Sequence, residues 1–358
     1  MFDVLNFCEA NFAGSLIGRA SMAAKYSEGR RQAVMGGLAL AASGMLWGGA
    51  AKAQAEKFTA VMDFLPTWKQ AAFHLANVKG WYREAGLDVD ISDGSGSTVT
   101  ITLASTGKCD IGLASLSAMA IARGKGSDIV AVAQILAKND VGMLVDKKLG
   151  ISSPKQLAEK QAKIFFETTS YQSLFALFFK NLGIDISQVS LTPMSPASAI
   201  GTYVAGQGDA IITTAPYVMP VVDEKRPSDT LMFADYGLPL PSHGLVVKPE
   251  LLRANPERYR KFLSVTQRAW AEMWNSDGKE AISALVDQRP LAKLDAALEL
   301  KRLNAYRPFA VSNATRGHGA LWMAPGDWDI AIKILSEADL IPRDSKTASF
   351  YTNEFLPA

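Results

Sequence analysis

From Phe58 onward, short apolar runs alternate with amphipathic stretches of helical period. That alternation is the feature that most restricts the fold, because strands and helices taking turns along a chain build an α/β protein. The first series predicts strands at 58–64, 87–91, 110–113, 129–135 and 141–145. Helices are predicted at 68–85, closed by Gly86, at 98–105, and from a cap at Ser117 through Arg123. A second series follows, with strands at 162–166, 189–193, 209–212 and 231–234. Its helices are predicted at 153–157, 170–182 and 197–205, with another opened by Pro216. After Pro249 the pattern is mostly helical to about Glu337.

Two strand–helix series joined by crossings near 139–146 and 236–247 predict two lobes with a cleft between them. Residues 56–143 and 241–358 form the first lobe and residues 144–240 the second. The helical tail packs back on the first lobe. Ligands of open α/β sheets bind outside the carboxyl ends of the strands, which here face the cleft.

The front of the chain, "GRRQAVMGGLALAASGMLWGGAAKAQA" (29–55), places Arg30 and Arg31 before an uncharged run. The run ends in the small-residue triplets Ala51-Lys52-Ala53 and Ala53-Gln54-Ala55. This is the pattern of a cleaved export signal, and the paired arginines suggest the twin-arginine route. Five glycines in the run weaken it as a membrane span. Residues 1–55 are therefore read as the signal, and the mature protein as periplasmic.

Of the 37 basic and 35 acidic residues, the signal holds five and three, leaving 32 of each. A neutral balance supplies no electrostatic attraction to nucleic acid or to an anionic membrane. Cys8 lies in the signal, so Cys109 stands alone and no internal disulfide forms. Three histidines, a single mature cysteine and the absence of H-E-x-x-H, C-x-x-C and G-x-S-x-G argue against a metal site or a hydrolase. "GSGS" (94–97) is read as a turn, since no nucleotide-binding glycine motif surrounds it. No cofactor is expected.

The candidate ligand residues stand at strand-to-helix junctions. "DFLPTW" (63–68) closes the first strand. Asp63 offers a carboxylate to an amine or ring N–H, and Phe64 and Trp68 offer aromatic faces. A capping Asp63 and a core Trp68 are the structural alternatives. Ser115 and Ser117 open a helix in the first lobe, as Thr169, Ser170 and Tyr171 do in the second. Such groups suit a polar ligand or serve simply as caps. Thr214 and Tyr217 mark a third junction, and Tyr236 and His243 flank the second crossing. None of these positions is arginine or lysine, and only Lys69 is adjacent. The set favours a flat, nitrogen-containing ring over a small dense anion, which wants a positive side chain.

Several stretches carry a resemblance. "HLANVKGWYREAGLDVDISDGSGS" (74–97), "LASTGKCDIGLASLSAMAIARGKG" (103–126), "GISSPKQLAEKQAKI" (150–164), "GQGDAIIT" (206–213) and "FYTNEFL" (350–356) follow one another in order. The chain resembles the periplasmic substrate-binding proteins of ABC importers, in the group that binds nitrate, sulfonate, taurine and thiamine pyrimidine precursors. "TNEFL" and "DYGLPLPSHGLVV" resemble the thiamine-precursor branch. The resemblance implies a two-lobed type II binding-protein fold, hinge closure on a small molecule, and hand-over to a permease and its ATPase by a monomeric protein. Some relatives in that branch are enzymes with a cysteine-rich motif that use pyridoxal phosphate. This chain has no cysteine cluster. A sulfonate, taurine or nitrate binder, a pyrimidine-synthesising enzyme and a periplasmic sensor domain are the alternatives.

Overall fold

The computed structural model of the protein describes residues 54–167 and 172–357. All but the last residues of the expected signal, and Thr168 to Tyr171, lie outside the described residues.

Among the described residues ten strands form two five-stranded sheets. The first contains β1 (Glu56–Val61), β2 (Leu87–Ser92), β3 (Ile111–Ser115), β4 (Val130–Gln134) and β10 (His243–Val247), in the order β2-β1-β3-β10-β4. The second contains β5 (Val141–Asp146), β6 (Lys163–Glu167), β7 (Ser190–Met194), β8 (Ala210–Thr214) and β9 (Ser228–Met232), in the order β7-β6-β8-β5-β9. In each sheet the neighbours of the second strand in the order run parallel to it. The fourth strand is antiparallel to both its neighbours. That fourth strand arrives each time from the other half of the chain, β10 after β9 and β5 after β4. The expected two-lobed α/β architecture with two crossings is therefore present. β5 pairs with β8 from Val141 and with β9 from Gly142, so the first crossing precedes Val141.

The two halves repeat one construction. Asp110, before β3, accepts the Thr59 N–H at 2.7 Å and returns its own N–H to the Thr59 carbonyl. Asp209, before β8, does the same with Lys163, its carboxylate 2.7 Å from the Lys163 nitrogen. The aspartates of "GKCD" and "GQGD" thus pin the incoming strand to the first parallel strand of each lobe and satisfy its exposed end.

The expected helix 68–85 is broken. A 3-10 turn at Trp68–Gln70 leads into helix Ala71–Val78, and Trp81–Glu84 forms a separate turn. Gly80 takes φ +73, a left-handed conformation that ends the first helix and that side-chain-bearing residues adopt at a cost. The helix after β3 spans Leu116–Gly124 and is capped by Ser115, whose Oγ accepts the Ala118 N–H at 3.3 Å. Ser117, the expected cap, sits inside it.

Each lobe has its own aromatic core, and Leu174 of the second lobe joins an apolar cluster of the first. In the first, Phe58 stacks on Phe262 of helix Pro256–Asn275 with centroids 4.3 Å apart, and Tyr82 stacks on the same ring at 5.3 Å. In the second, Phe178 stacks on Phe233 at 3.9 Å. The helical tail touches both lobes. Helix Pro325–Glu337 packs on the first, while Ile334, Ala338 and Leu340 also meet the apolar cluster of the second. Among the described residues no helix is long and apolar enough to cross a membrane.

Candidate functional site

The chain leaves β1 at Met62 and turns sharply. Its carbonyls are taken up by the neighbouring glycine turn: Gly96 donates to the Asp63 carbonyl at 2.7 Å and Gly94 to that of Phe64 at 3.2 Å. A β-carbon on Gly94 would lie 1.9 Å from the Met62 carbonyl oxygen, so this approach needs glycine. Gln70 holds the far side of the turn, its Nε2 3.2 Å from the carbonyls of Phe64 and Leu65. The result is a buried Asp63 beneath an exposed Phe64 and Leu65.

Three charged or titratable groups converge at Asp63. Lys69 Nζ lies 2.9 Å from Asp63 Oδ2, and Nε2 of His243, the first residue of β10, lies 3.1 Å from the same oxygen. Lys69 Nζ and His243 Nε2 are 3.3 Å apart. Burial by itself would push the Asp63 carboxyl up, but the charge of Lys69 and then the bond to His243 outweigh it. Together they hold the carboxyl well below the usual carboxylate range. Asp63 is therefore an anion at neutral pH.

Behind this group lies the hinge. Ser242 Oγ lies 3.2 Å from His243 Nδ1 and donates to Asp140 Oδ1 at 2.6 Å. The Tyr306 hydroxyl donates to Asp140 Oδ2 at 2.9 Å. The backbone repeats the theme on both sides. The Ser242 carbonyl accepts the Leu116 N–H that opens the helix after β3, at 2.7 Å. The Asp140 carbonyl accepts the Ala215 N–H that opens helix Ala215–Val222 after β8, at 3.0 Å. Each crossing thus supplies an acceptor to the first N–H of the helix that follows β3 or β8, one of the groups a helix start leaves unpaired.

Asp63 and His243 are brought together as candidates. Ser115 is fully buried beside them in sequence register, since its Cα pairs with that of His243. Its hydroxyl caps the helix, and its N–H donates to Ser97 Oγ at 3.0 Å. Ser117 donates to the Pro241 carbonyl at 2.6 Å and so fixes the second crossing.

Trp68 does not stand at a rim. It is fully buried, with its ring 4.5 Å from Tyr306 and 6.3 Å edge-on to Trp270. Its backbone N–H is held by Glu299 Oε2 at 2.7 Å. The 3-10 turn directs the indole inward, so Trp68 is a core residue here. Tyr217 packs against the apolar clusters of both lobes, with the Arg302 guanidinium 3.8 Å from its ring centroid. Thr214 stands at the start of the same helix with no capping bond from its side chain. Tyr236 is built into the body of the second lobe, its hydroxyl 3.3 Å from the Ser152 carbonyl and its ring edge-on to Phe178. Thr169, Ser170 and Tyr171 lie outside the described residues.

Lys69, Asp140, Ser242 and Tyr306 join the site without standing among the sequence candidates. Lys69 directly follows "DFLPTW" in the chain, whereas Tyr306 lies in an ordinary amphipathic helix with nothing local to mark it.

The order β2-β1-β3-β10-β4, its copy in the second lobe, and a polar cluster where both crossings meet the strand ends describe a periplasmic binding-protein fold. The family description "NMT1/THI5 like" matches residues 68–279, more than half of the chain. The chain belongs to the NMT1/THI5-like family. It is 26% identical over 313 residues to a 4-amino-5-hydroxymethyl-2-methylpyrimidine phosphate synthase of Saccharomyces cerevisiae, covering 84% of this chain and 88% of the relative. It is 22% identical to the riboflavin-binding protein RibY of Chloroflexus aurantiacus, over 84% of this chain and 86% of that one. Among solved structures, the periplasmic aliphatic sulphonate binding protein SsuA of Escherichia coli superposes with a TM-score of 0.61 at 15% identity. The match covers 82% of this chain and 91% of SsuA.

Proposed function

We propose that this family member is the periplasmic solute-binding component of an ABC importer, capturing a planar nitrogen heterocycle and delivering it to a permease. The observation that carries the reading is the Asp63–Lys69 pair at the end of β1, 2.9 Å apart and backed by His243. The charge of Lys69 is answered by Asp63, so a small dense anion gains little there. A ring bearing an amine beside a ring nitrogen meets an acceptor in Asp63 and a donor in Lys69 at once. Phe64, next to Asp63 in the chain and exposed, offers an apolar face to such a ring. The relatives support the same class: a pyrimidine and a flavin appear in the names of proteins matched over 84% of the chain.

The synthase relatives favour a second, enzymatic reading. Against it stands the scarcity of cysteine: beyond Cys8 the chain has only Cys109. Cys109 is buried, and that burial, with Asp110 beside it, pushes its thiol up to about 11, which leaves it unreactive at neutral pH. A thermal-shift screen tests the assignment, using aminopyrimidines, riboflavin, aromatic acids, taurine, alkyl sulfonates and nitrate. A heterocycle at 100 times its dissociation constant adds about 2.7 kcal/mol of stability. Stabilisation by sulfonate or nitrate alone would overturn the ligand class. Pyridoxal phosphate retained through purification, seen in the absorbance spectrum, would revive the synthase reading.

A further inference from the structure

Helix Ala296–Tyr306 belongs to the tail of the first lobe, yet one face of it reaches three separate parts of the molecule. Its start is set by Asp295, whose Oδ1 accepts the Ala297 and Leu298 N–H groups at 2.9 and 3.1 Å. Residues 299, 302, 303 and 306 then recur at helical spacing along that face. Leu303 enters the first-lobe core. Glu299, almost fully buried, accepts the Trp68 backbone N–H on Oε2 at 2.7 Å and the Arg302 Nη1 on Oε1 at 2.5 Å. Arg302 extends to the second lobe, where its Nε donates to the Tyr217 carbonyl at 3.2 Å and its plane covers the Tyr217 ring. Tyr306 bonds Asp140 of the first crossing. On the solvent side, Lys301 pairs with Glu224 of the second lobe at 2.6 Å.

These bonds form a continuous path. The Trp68 N–H adjoins Lys69, whose ammonium is part of the candidate site. Glu299 grips that N–H and orients Arg302. Arg302 grips Tyr217, three residues beyond Thr214 at the end of β8. A guanidinium held on one edge by a carboxylate has little freedom left to lose when it stacks, which makes the stack directional as well as attractive. The apolar contact of Ile334 and Leu340 with the second lobe has no such directionality and tolerates sliding.

We propose that helix 296–306 is a strap holding the second lobe against the ligand-facing segment of the first. Arg302 is its clasp, and Glu299 is the positioning residue that ties the clasp to the backbone carrying Lys69. The contacts span the two lobes, so they bias the molecule toward the arrangement seen here before any ligand arrives. The consequence for ligand affinity rests on the binding-protein reading. The strap itself does not.

Pulsed electron-spin distance measurements between labels at Thr106→Cys in the first lobe and Ser187→Cys in the second, both exposed, test the strap without ligand. The intact strap gives one narrow distance distribution. Arg302→Ala and Glu299→Gln each broaden it and add a longer component, and Arg302→Lys, which keeps a cation against Glu299, recovers part of the narrow one. Lys301→Glu lies on the surface and cannot disturb the core, so it tests the strap even if the buried variants fail to fold. It sets like charges against each other at Glu224 and also broadens the distribution. Lys333→Ala, which removes a pair within one helix, leaves it unchanged. Distributions that stay narrow and superimposable in Lys301→Glu and in every folded Arg302 and Glu299 variant would overturn the strap. In the aminopyrimidine titration, Arg302→Ala changes the apparent dissociation constant at least about threefold. If no variant, nor the unaltered protein, binds a heterocycle while the distance shifts occur as stated, the ligand assignment fails and the strap stands.

Discussion

Ser242 and Asp140 lie on different crossings between the lobes, and the Ser242 hydroxyl donates to the Asp140 carboxylate at 2.6 Å. The two chain passages that form the hinge are thus bonded directly to each other, and Tyr306 supplies a second donor to the same buried carboxylate. Ser242→Ala and Tyr306→Phe should each destabilise the protein by about 1–3 kcal/mol, because a buried acceptor loses a partner. Removing both should cost more than the two separate losses together, since Asp140 then loses both donors. A double-mutant cycle on denaturant midpoints checks this. Strict additivity would mean that the two donors act independently.

Trp68→Ala should cost about 3–5 kcal/mol of stability, the loss expected when a fully buried aromatic leaves a cavity. Phe64→Ala should change stability little, since Phe64 is 41% exposed. Thermal unfolding of the two variants separates a core indole from an exposed ring. A Trp68→Ala variant with unchanged stability would return Trp68 to the ligand.

His74 should make stability depend on pH. It is buried in helix 71–78 with neither ring nitrogen bonded to a protein group among the described residues. Burial, and then Arg289 nearby, pushes it down to about 4. The unfolded chain takes up this proton near pH 6.5 and the folded one only near 4. The stability is therefore whole above 6.5 and is lost as pH falls through that window, by up to about 3 kcal/mol. Asp63 acts in a lower window. Its folded value is depressed, so its contribution is present above the ordinary carboxylate range and disappears only as pH falls below it. His74→Leu should flatten the stability profile between pH 6.5 and 4 while leaving the steeper fall at lower pH. An unchanged slope in that variant would assign the dependence to other groups.

Gly94→Ala should lower the melting temperature by several degrees, because the added carbon collides with the Met62 carbonyl in the turn that carries Asp63. Gly80→Ala, at φ +73 with open space around it, should cost about 1 kcal/mol of backbone strain. Comparing the two by calorimetry distinguishes a packing glycine from a conformational one.

Much of the frame was legible in the sequence because it follows from local pattern. The alternation after Phe58 marks nine of the ten strands close to their places, and the tenth, β10, reads only as part of the second crossing because it follows a proline-rich stretch. Asp63 stands out as a polar residue closing the first strand, and His243 as one beside the second crossing. What was not legible depends on contacts distant in sequence. The direction of the Trp68 indole is set by Tyr306 and Trp270, more than two hundred positions away. Asp140 and Ser242 read as ordinary crossing residues until the hinge brings them together. Lys69 becomes a site residue only because the 3-10 turn folds its side chain back onto Asp63.

The most direct test of the account is titration calorimetry of the unaltered protein and of Asp63→Asn with 4-amino-5-hydroxymethyl-2-methylpyrimidine, riboflavin, taurine and nitrate. The account predicts that one of the two heterocycles binds the unaltered protein and that Asp63→Asn weakens it by about 1.5–3 kcal/mol, the worth of a hydrogen bond to a charged group. It predicts no measurable heat from taurine or nitrate. Tight binding of taurine or nitrate without either heterocycle, or heterocycle binding that is untouched by Asp63→Asn, would contradict it.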